Sequence, residues 1–145
     1  MTEEKIKHLE MIQGVITRMN SNSFQIKGWY ITILSALGAI YASNPKPAFV
    51  AVGILPTVLF WAMDAYFLQQ ERKFRGLYQE IVKGESALIP FDMPIGRYTL
   101  GFYTFCSSFW SKTIVGLYGS LFVLIMLVCF ILNHTVICSL ICNCH

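Results

Sequence analysis

Residues 47–83 read PAFVAVGILPTVLFWAMDAYFLQQERKFRGLYQEIVK, and the fold turns on this stretch. Its first seventeen residues, 47–63, carry no charge, and Asp64 is the first ionisable side chain. Beyond Asp64 the apolar positions Phe67, Phe74, Leu77, Tyr78, Ile81 and Val82 recur at helical spacing among charged neighbours. As one helix the stretch would measure about 55 Å at ~1.5 Å per residue. A bilayer's hydrocarbon core is only ~30 Å thick. The stretch is therefore predicted to cross a membrane and continue into water, with Pro56 able to kink its apolar half.

On the N-terminal side lie eighteen more uncharged residues, 28–45, joined to the first set through Asn44-Pro45-Lys46-Pro47. Two apolar helices with a tight turn between them predict a transmembrane hairpin. After Lys112 no Asp, Glu, Lys or Arg follows, and residues 113–133, TIVGLYGSLFVLIMLVCFILN, predict a third span. The whole chain agrees with this reading. It has 145 residues, of which 55% are hydrophobic and 13% charged, against about 25% charged in a soluble domain. So little charge cannot wet the outside of a soluble helical bundle, and intrinsic disorder needs the opposite composition. A net charge of +3 gives no reason to expect nucleic acid.

The basic residues orient the spans. Lys5, Lys7, Arg18, Lys27, Arg72, Lys73, Arg75, Lys83, Arg97 and Lys112 fall on one side of this topology, and only Lys46 on the other. The excess of Lys and Arg marks the cytoplasmic side, which places the N-terminus inside. The first 27 residues contain charges throughout and no apolar core of a signal peptide, so the first span is expected to be retained. The predicted fold class is an all-α membrane protein, a transmembrane helical hairpin plus a third C-terminal span, with amphipathic cytoplasmic helices. The divisions are an amphipathic cytoplasmic helix (1–26), the hairpin (27–68), a cytoplasmic helix with an aromatic interfacial loop (69–112), the third transmembrane helix (113–133) and a Cys-rich tail (134–145).

Within 3–19, Ile6, Leu9, Ile12, Ile16 and Met19 form one apolar stripe. Such a stripe can lie on lipid or pack on another helix. Mixed charge and the lack of aromatics favour packing, and the apolar face of 64–83 is the obvious partner. Asn20-Ser21-Asn22-Ser23 then reads as a joint, with Asn22 or Ser23 as a cap; the other reading has Asn20, Asn22 and Ser23 lining an opening. Asp64 sits at the cytoplasmic end of its span, where it is expected to pair with Lys27 or Arg72. Inside lipid it would be a functional carboxylate. Glu71 and Arg75 are four apart in the favourable order, worth ~0.2–0.5 kcal/mol to a helix. The two prolines of 86–96 predict a loop. The aromatics Tyr98, Phe102, Tyr103, Phe105, Phe109 and Trp110 predict an interfacial belt. Gly116 and Gly119 permit close helix approach but lack the four-residue GxxxG spacing.

Chemistry-bearing motifs are scarce. The cysteines at 106, 129, 138, 142 and 144, with His145, do not match a standard zinc-finger spacing. They read as small apolar residues, with disulfides or a metal as the other possibilities. No GxSxG, HExxH, Walker A or GxGxxG occurs, so neither an enzyme nor a cofactor is expected.

The run Asn22-Ser23-Phe24 followed by Lys27 and Trp29, and the later run Asp64-Ala-Tyr-Phe-Leu-Gln-Gln-Glu71-Arg72-Lys-Phe74-Arg75-Gly-Leu77-Tyr78, carry a family resemblance. Over about residues 5–85 the chain resembles the RipA-like octameric membrane proteins of bacteria. More loosely it resembles small transmembrane effectors and accessories of prokaryotic antiviral systems. The third span and the tail lie outside the resemblance. It implies a multi-pass homo-oligomer in the bacterial inner membrane with a helical cytoplasmic ring and, in the antiviral branch, a pore. On that expectation Glu71, Arg72, Phe74, Arg75, Leu77 and Tyr78 make oligomer or partner contacts. The expected partners are the lipid bilayer, further copies of the chain and a cytoplasmic protein. A non-conducting scaffold is the alternative function.

Overall fold

A computed structural model describes residues 2–44, 47–84 and 91–142, without the side chains of 47–51, 129 and 132–142. The described chain is helical throughout, with no strand: α1 (Glu3–Ser43), α2 (Pro47–Lys83), α3 (Phe105–Phe109) and α4 (Lys112–Cys142), with short 3-10 turns at Ile95–Arg97 and Gly101–Tyr103. Residues 45–46 of the expected turn, the segment 85–90 and the end of the tail lie outside the described residues, as do the side chains of Cys129, Cys138 and Cys142.

The first element departs from expectation. Residues 20–24 are neither joint nor cap, because α1 runs unbroken for 41 residues across the division placed at residue 26. The cap position is Thr2. A serine favours a helix break when its hydroxyl competes for local backbone groups. Here the Ser23 hydroxyl is engaged across the helix pair by Asp64, so the competition is removed.

α1 and α2 pack antiparallel along their length. At one end Leu9, Ile12 and Ile16 bury against Leu77 and Ile81, with Phe74 and Tyr78 packed around them. The expected stripe is displaced at its start: Ile6 is exposed, and His8 takes the buried position beside Phe91. Midway, Tyr30 and Ala65 form a second cluster with Ile114 and Tyr118, which brings α4 into the bundle. Past that level α4 leaves a cavity of about 270 Å³ against the hairpin, lined by Ile31, Leu34, Leu37, Ile54, Leu121 and Ile125 among others.

α2 is long and apolar enough over Val52–Lys83 to cross a membrane, and it continues through Pro56. Among the residues with described side chains, the apolar run of α4 covers Lys112–Val128. The aromatic segment 98–110 is more ordered than a belt of anchors: its 3-10 turn and α3 lie along α2. Tyr103 crosses α2 at Gly76, where a Cβ would come within 2.8 Å of the tyrosine hydroxyl. Gln69 donates to the Tyr103 carbonyl at 2.9 Å, and Trp61 Nε1 donates to the Phe109 carbonyl at 3.1 Å.

Candidate functional site

Three polar clusters sit along the seam between the apolar and polar halves of the bundle. The first joins α1 to α2. Ser23 and Lys27 are one turn apart on α1 and both face Asp64. Lys27 Nζ lies 2.7 Å from Asp64 Oδ1 and 2.6 Å from Ser23 Oγ, and the Ser23 hydroxyl donates to the same carboxylate oxygen. Asp64 is fully buried, while the Lys27 side chain keeps 22% of its exposure. Asp64 Oδ2 has no hydrogen-bond partner among the described residues. Of the two partners expected for Asp64, Lys27 is the one in place. Arg72 is engaged elsewhere. Ser23 is the member that composition and spacing did not single out for this role. The signal was its four-residue separation from Lys27, which stacks both on one helix face.

A second cluster lies toward the apolar end. Tyr30 and Thr57 share a hydrogen bond at 3.2 Å, and Thr57 also donates to the Gly53 carbonyl at 2.8 Å. Tyr118 donates to the Phe60 carbonyl at 3.3 Å, its ring 4.9 Å from Tyr30 and stacked on Trp61 at 5.9 Å. Each hydroxyl in this apolar layer has a partner inside the chain, as burial away from water requires.

The third cluster is built on Arg72. Its Nη1 donates to the Phe102 carbonyl at 3.2 Å and to Ser107 Oγ and Ser108 Oγ at 3.3 Å each. Nη2 donates to Ser111 Oγ at 3.2 Å, and the Phe102 ring lies 4.0 Å from the guanidinium carbon. Arg72 thereby pins α3 and the start of α4 to α2. Burial lowers its pKa, against the raising influence of Glu71. The serines were the missed residues. Their positions 107, 108 and 111 share one turn of chain, but nothing local tells that an arginine 35 residues earlier will reach them.

The remaining candidates divide. Leu77 is fully buried and Phe74 and Tyr78 pack on it within the chain. Glu71 and Arg75 pair at 2.7 Å, with Arg75 58% exposed. Asn20 is exposed and Asn22 half-buried in mid-helix. A further pair, Tyr98 donating to Glu80 with Arg97 at 3.7 Å, ties the 3-10 turn to α2. Burial and the Glu80 carboxylate raise the Tyr98 pKa.

Among the described residues no three His, Cys, Asp or Glu side chains gather to hold a metal. Cys106 is a free, exposed thiol, and the cysteine-rich tail lies largely outside the described side chains. The chain matches no family model, no curated protein and no solved structure.

Proposed function

We propose that the chain is a three-span protein of the bacterial inner membrane, N-terminus cytoplasmic, which self-assembles into an oligomer that perturbs the membrane barrier in defence or stress response. One observation supports this above the others. Gly28, Thr32, Ala39 and Ser43 form an exposed stripe along α1, at helical spacing away from Tyr30, Leu34, Leu37 and Tyr41, which pack within the chain. The stripe hydroxyls bond to their own helix, Thr32 to the Gly28 carbonyl at 2.9 Å and Ser43 to the Ala39 carbonyl at 3.1 Å. Small side chains let helices approach closely in lipid, where apolar bulk gives no preference for a partner over lipid tails. By contrast, the exposed face of α2 is bulky, with Val52, Leu55, Val58 and Leu59, and suits lipid.

Conduction would have to occur between copies. Inside one copy the described hydroxyls of the apolar layer, Tyr30, Thr57 and Tyr118, are bonded to one another or to backbone carbonyls. On this reading the exposed Arg75, held by the largely buried Glu71, is the side chain of the cytoplasmic stalk that a neighbouring copy or a cytoplasmic protein would meet. The second reading, a non-conducting scaffold, is favoured by the lack of any charge in 28–45, which leaves the stripe without an ion-attracting group.

Dye release from liposomes, run beside cross-linking of the same samples, tests the proposal. The wild type should cross-link into an oligomer and release dye, and Gly28→Leu with Ala39→Leu should abolish both. An assembled wild-type oligomer in a tight bilayer would overturn the pore and leave the scaffold. A wild-type chain that stays monomeric in the bilayer would overturn both.

A further inference from the structure

Asp64 is a fully buried carboxyl whose two oxygens are treated unequally. Oδ1 takes both partners, Lys27 Nζ at 2.7 Å and the Ser23 hydroxyl. Oδ2 has no hydrogen-bond partner among the described residues. An ionised carboxylate has only acceptor positions, so a bare buried Oδ2 gives up its hydration for nothing in return. The hydroxyls around it are spent. Tyr118 of α4 lies beside the carboxyl, but its one proton goes to the Phe60 carbonyl, a turn before Asp64, at 3.3 Å. Tyr30, packed with Ala65 and Tyr118, shares its hydroxyl with Thr57.

The same atoms suit a carboxyl that carries a proton on Oδ2. Such a group gains a donor, and a phenol that is donating still has an oxygen able to accept. A proton on Oδ2 thus completes a line from Asp64 through the Tyr118 hydroxyl to the Phe60 carbonyl, and no donor is taken from another partner. Oδ1 goes on accepting from Ser23 and Lys27. The titratable groups facing the carboxyl are Lys27 of α1 and Tyr118 of α4, with Tyr30 of α1 packed against Tyr118. Along α2 the next charges, Glu71 and Arg72, stand about two turns away. Both are engaged, Glu71 by Arg75 and Arg72 by the serines preceding α4. The one titratable side chain of α3, Cys106, is exposed. Lys27 keeps 22% of its exposure while Asp64 keeps none, so the way in from solvent runs along the lysine.

We propose that Asp64 Oδ2 is a proton-binding site, loaded from solvent beside Lys27 and read by Tyr118 on α4. A hydronium ion gives up its proton, an O–H bond forms at Oδ2, water is left, and no other covalent bond changes. The ion pair loses its negative member, and the lysine stem turns its ammonium toward water. Protonation therefore exchanges an ion pair between α1 and α2 for a hydrogen bond between α2 and α4. The inference rests on burial within a single copy and on neither the oligomer nor the pore.

The test is infrared difference spectroscopy of the detergent-solubilised full chain, titrated from about pH 8 to about pH 4, through the range in which carboxyls take up protons. Tryptophan fluorescence at each pH shows that the fold persists. The readout is the carbonyl stretch of a protonated carboxylic acid, which a carboxylate lacks. The wild type should gain an acid band that Asp64→Asn does not. Tyr118→Phe should move that band to higher frequency, because the acid proton has lost its acceptor. Identical bands gained by the wild type and Asp64→Asn would overturn the site and leave Asp64 a fixed half of the ion pair. A band that Tyr118→Phe leaves in place would overturn the link to α4. Unfolding of the wild type before the band appears would overturn the proposal as a whole. Should Asp64→Asn fail to fold, Tyr118→Phe decides alone, since no shifted acid band means no proton between the two side chains. None of these readings uses cross-linking or dye release, so this proposal and the oligomeric pore fail separately.

Discussion

Replacing Lys27 with Met should be far more damaging than replacing Asp64 with Asn, although each removes one half of the same ion pair. The asymmetry comes from burial. Asp64 has no exposed side-chain surface, whereas Lys27 keeps 22% of its own. Without Lys27 the carboxylate keeps the Ser23 hydroxyl on Oδ1 and the Tyr118 hydroxyl nearby but no balancing charge, and Oδ2 lacks a partner within hydrogen-bond distance among the described residues. Removing one member of a buried pair costs ~3–5 kcal/mol because the other charge is left uncompensated. Without the Asp64 charge, the lysine stem can swing its ammonium toward water, and the asparagine carbonyl still accepts from Ser23. Asp64→Asn should then cost about 1–2 kcal/mol, the scale of a hydrogen bond weakened from charged to neutral. The double variant Lys27→Met, Asp64→Leu leaves no charge behind and should fall within about 1 kcal/mol of the wild type.

Reversible unfolding in mixed micelles, titrated with sodium dodecyl sulfate and followed by tryptophan fluorescence, gives these values. Trp61, stacked between Phe109 and Tyr118, reports loss of packing close to the pair. If Lys27→Met cost no more than Asp64→Asn, the burial reasoning would fail. A double variant as unstable as the two single losses summed would refute it equally, because the pair would then show no coupling.

Other perturbations have equally direct readouts. Leu77→Ala empties a fully buried position among Leu9, Ile12, Ile16 and Ile81 and should cost ~2–5 kcal/mol in the same titration. Gly76→Ala places a methyl 2.8 Å from the Tyr103 hydroxyl. The overpacking, ~1–3 kcal/mol, should exceed the ~1 kcal/mol that alanine gains in a helix, and Tyr103→Phe in that background should recover part of the loss. Tyr98→Phe bears on alkaline stability. With the folded-state pKa of Tyr98 raised by burial and by Glu80, its contribution is full below the unfolded value of about 10. That contribution is lost as pH rises through the higher folded value. The gap in Tm between wild type and Tyr98→Phe should stay constant from neutral pH to about 9.5 and narrow above about 10; a gap that widened there would refute the assignment.

The helical content was legible because it depends on short-range pattern. The apolar residues between Leu77 and Ile81 do face Leu9, Ile12 and Ile16, and Glu71 pairs with Arg75 as four-residue spacing dictates. The errors arose where a long-range partner changed what a residue does locally. Asn20–Ser23 carry the composition of a helix break, but the hydroxyl of Ser23 is claimed by a carboxylate 41 residues away, so α1 continues. Ile6 belongs to the apolar stripe by periodicity, but His8 takes the buried place beside Phe91. No window of sequence around either residue contains the group that decides the outcome.

Arg72 shows the same limit from the other direction. On the sequence it belongs to an exposed charged helix face, beside Glu71 and Arg75 and equivalent to them. In the fold the three separate: a largely buried Glu71 holds the exposed Arg75, and Arg72 turns to the serines preceding α4. The reason is a competition for one carboxylate. Arg75 takes Glu71 in the favoured i, i+4 geometry, and Arg72 feels that carboxylate's charge without pairing to it directly. A partly buried guanidinium also needs acceptors for its N–H groups. The serines and the Phe102 carbonyl supply them.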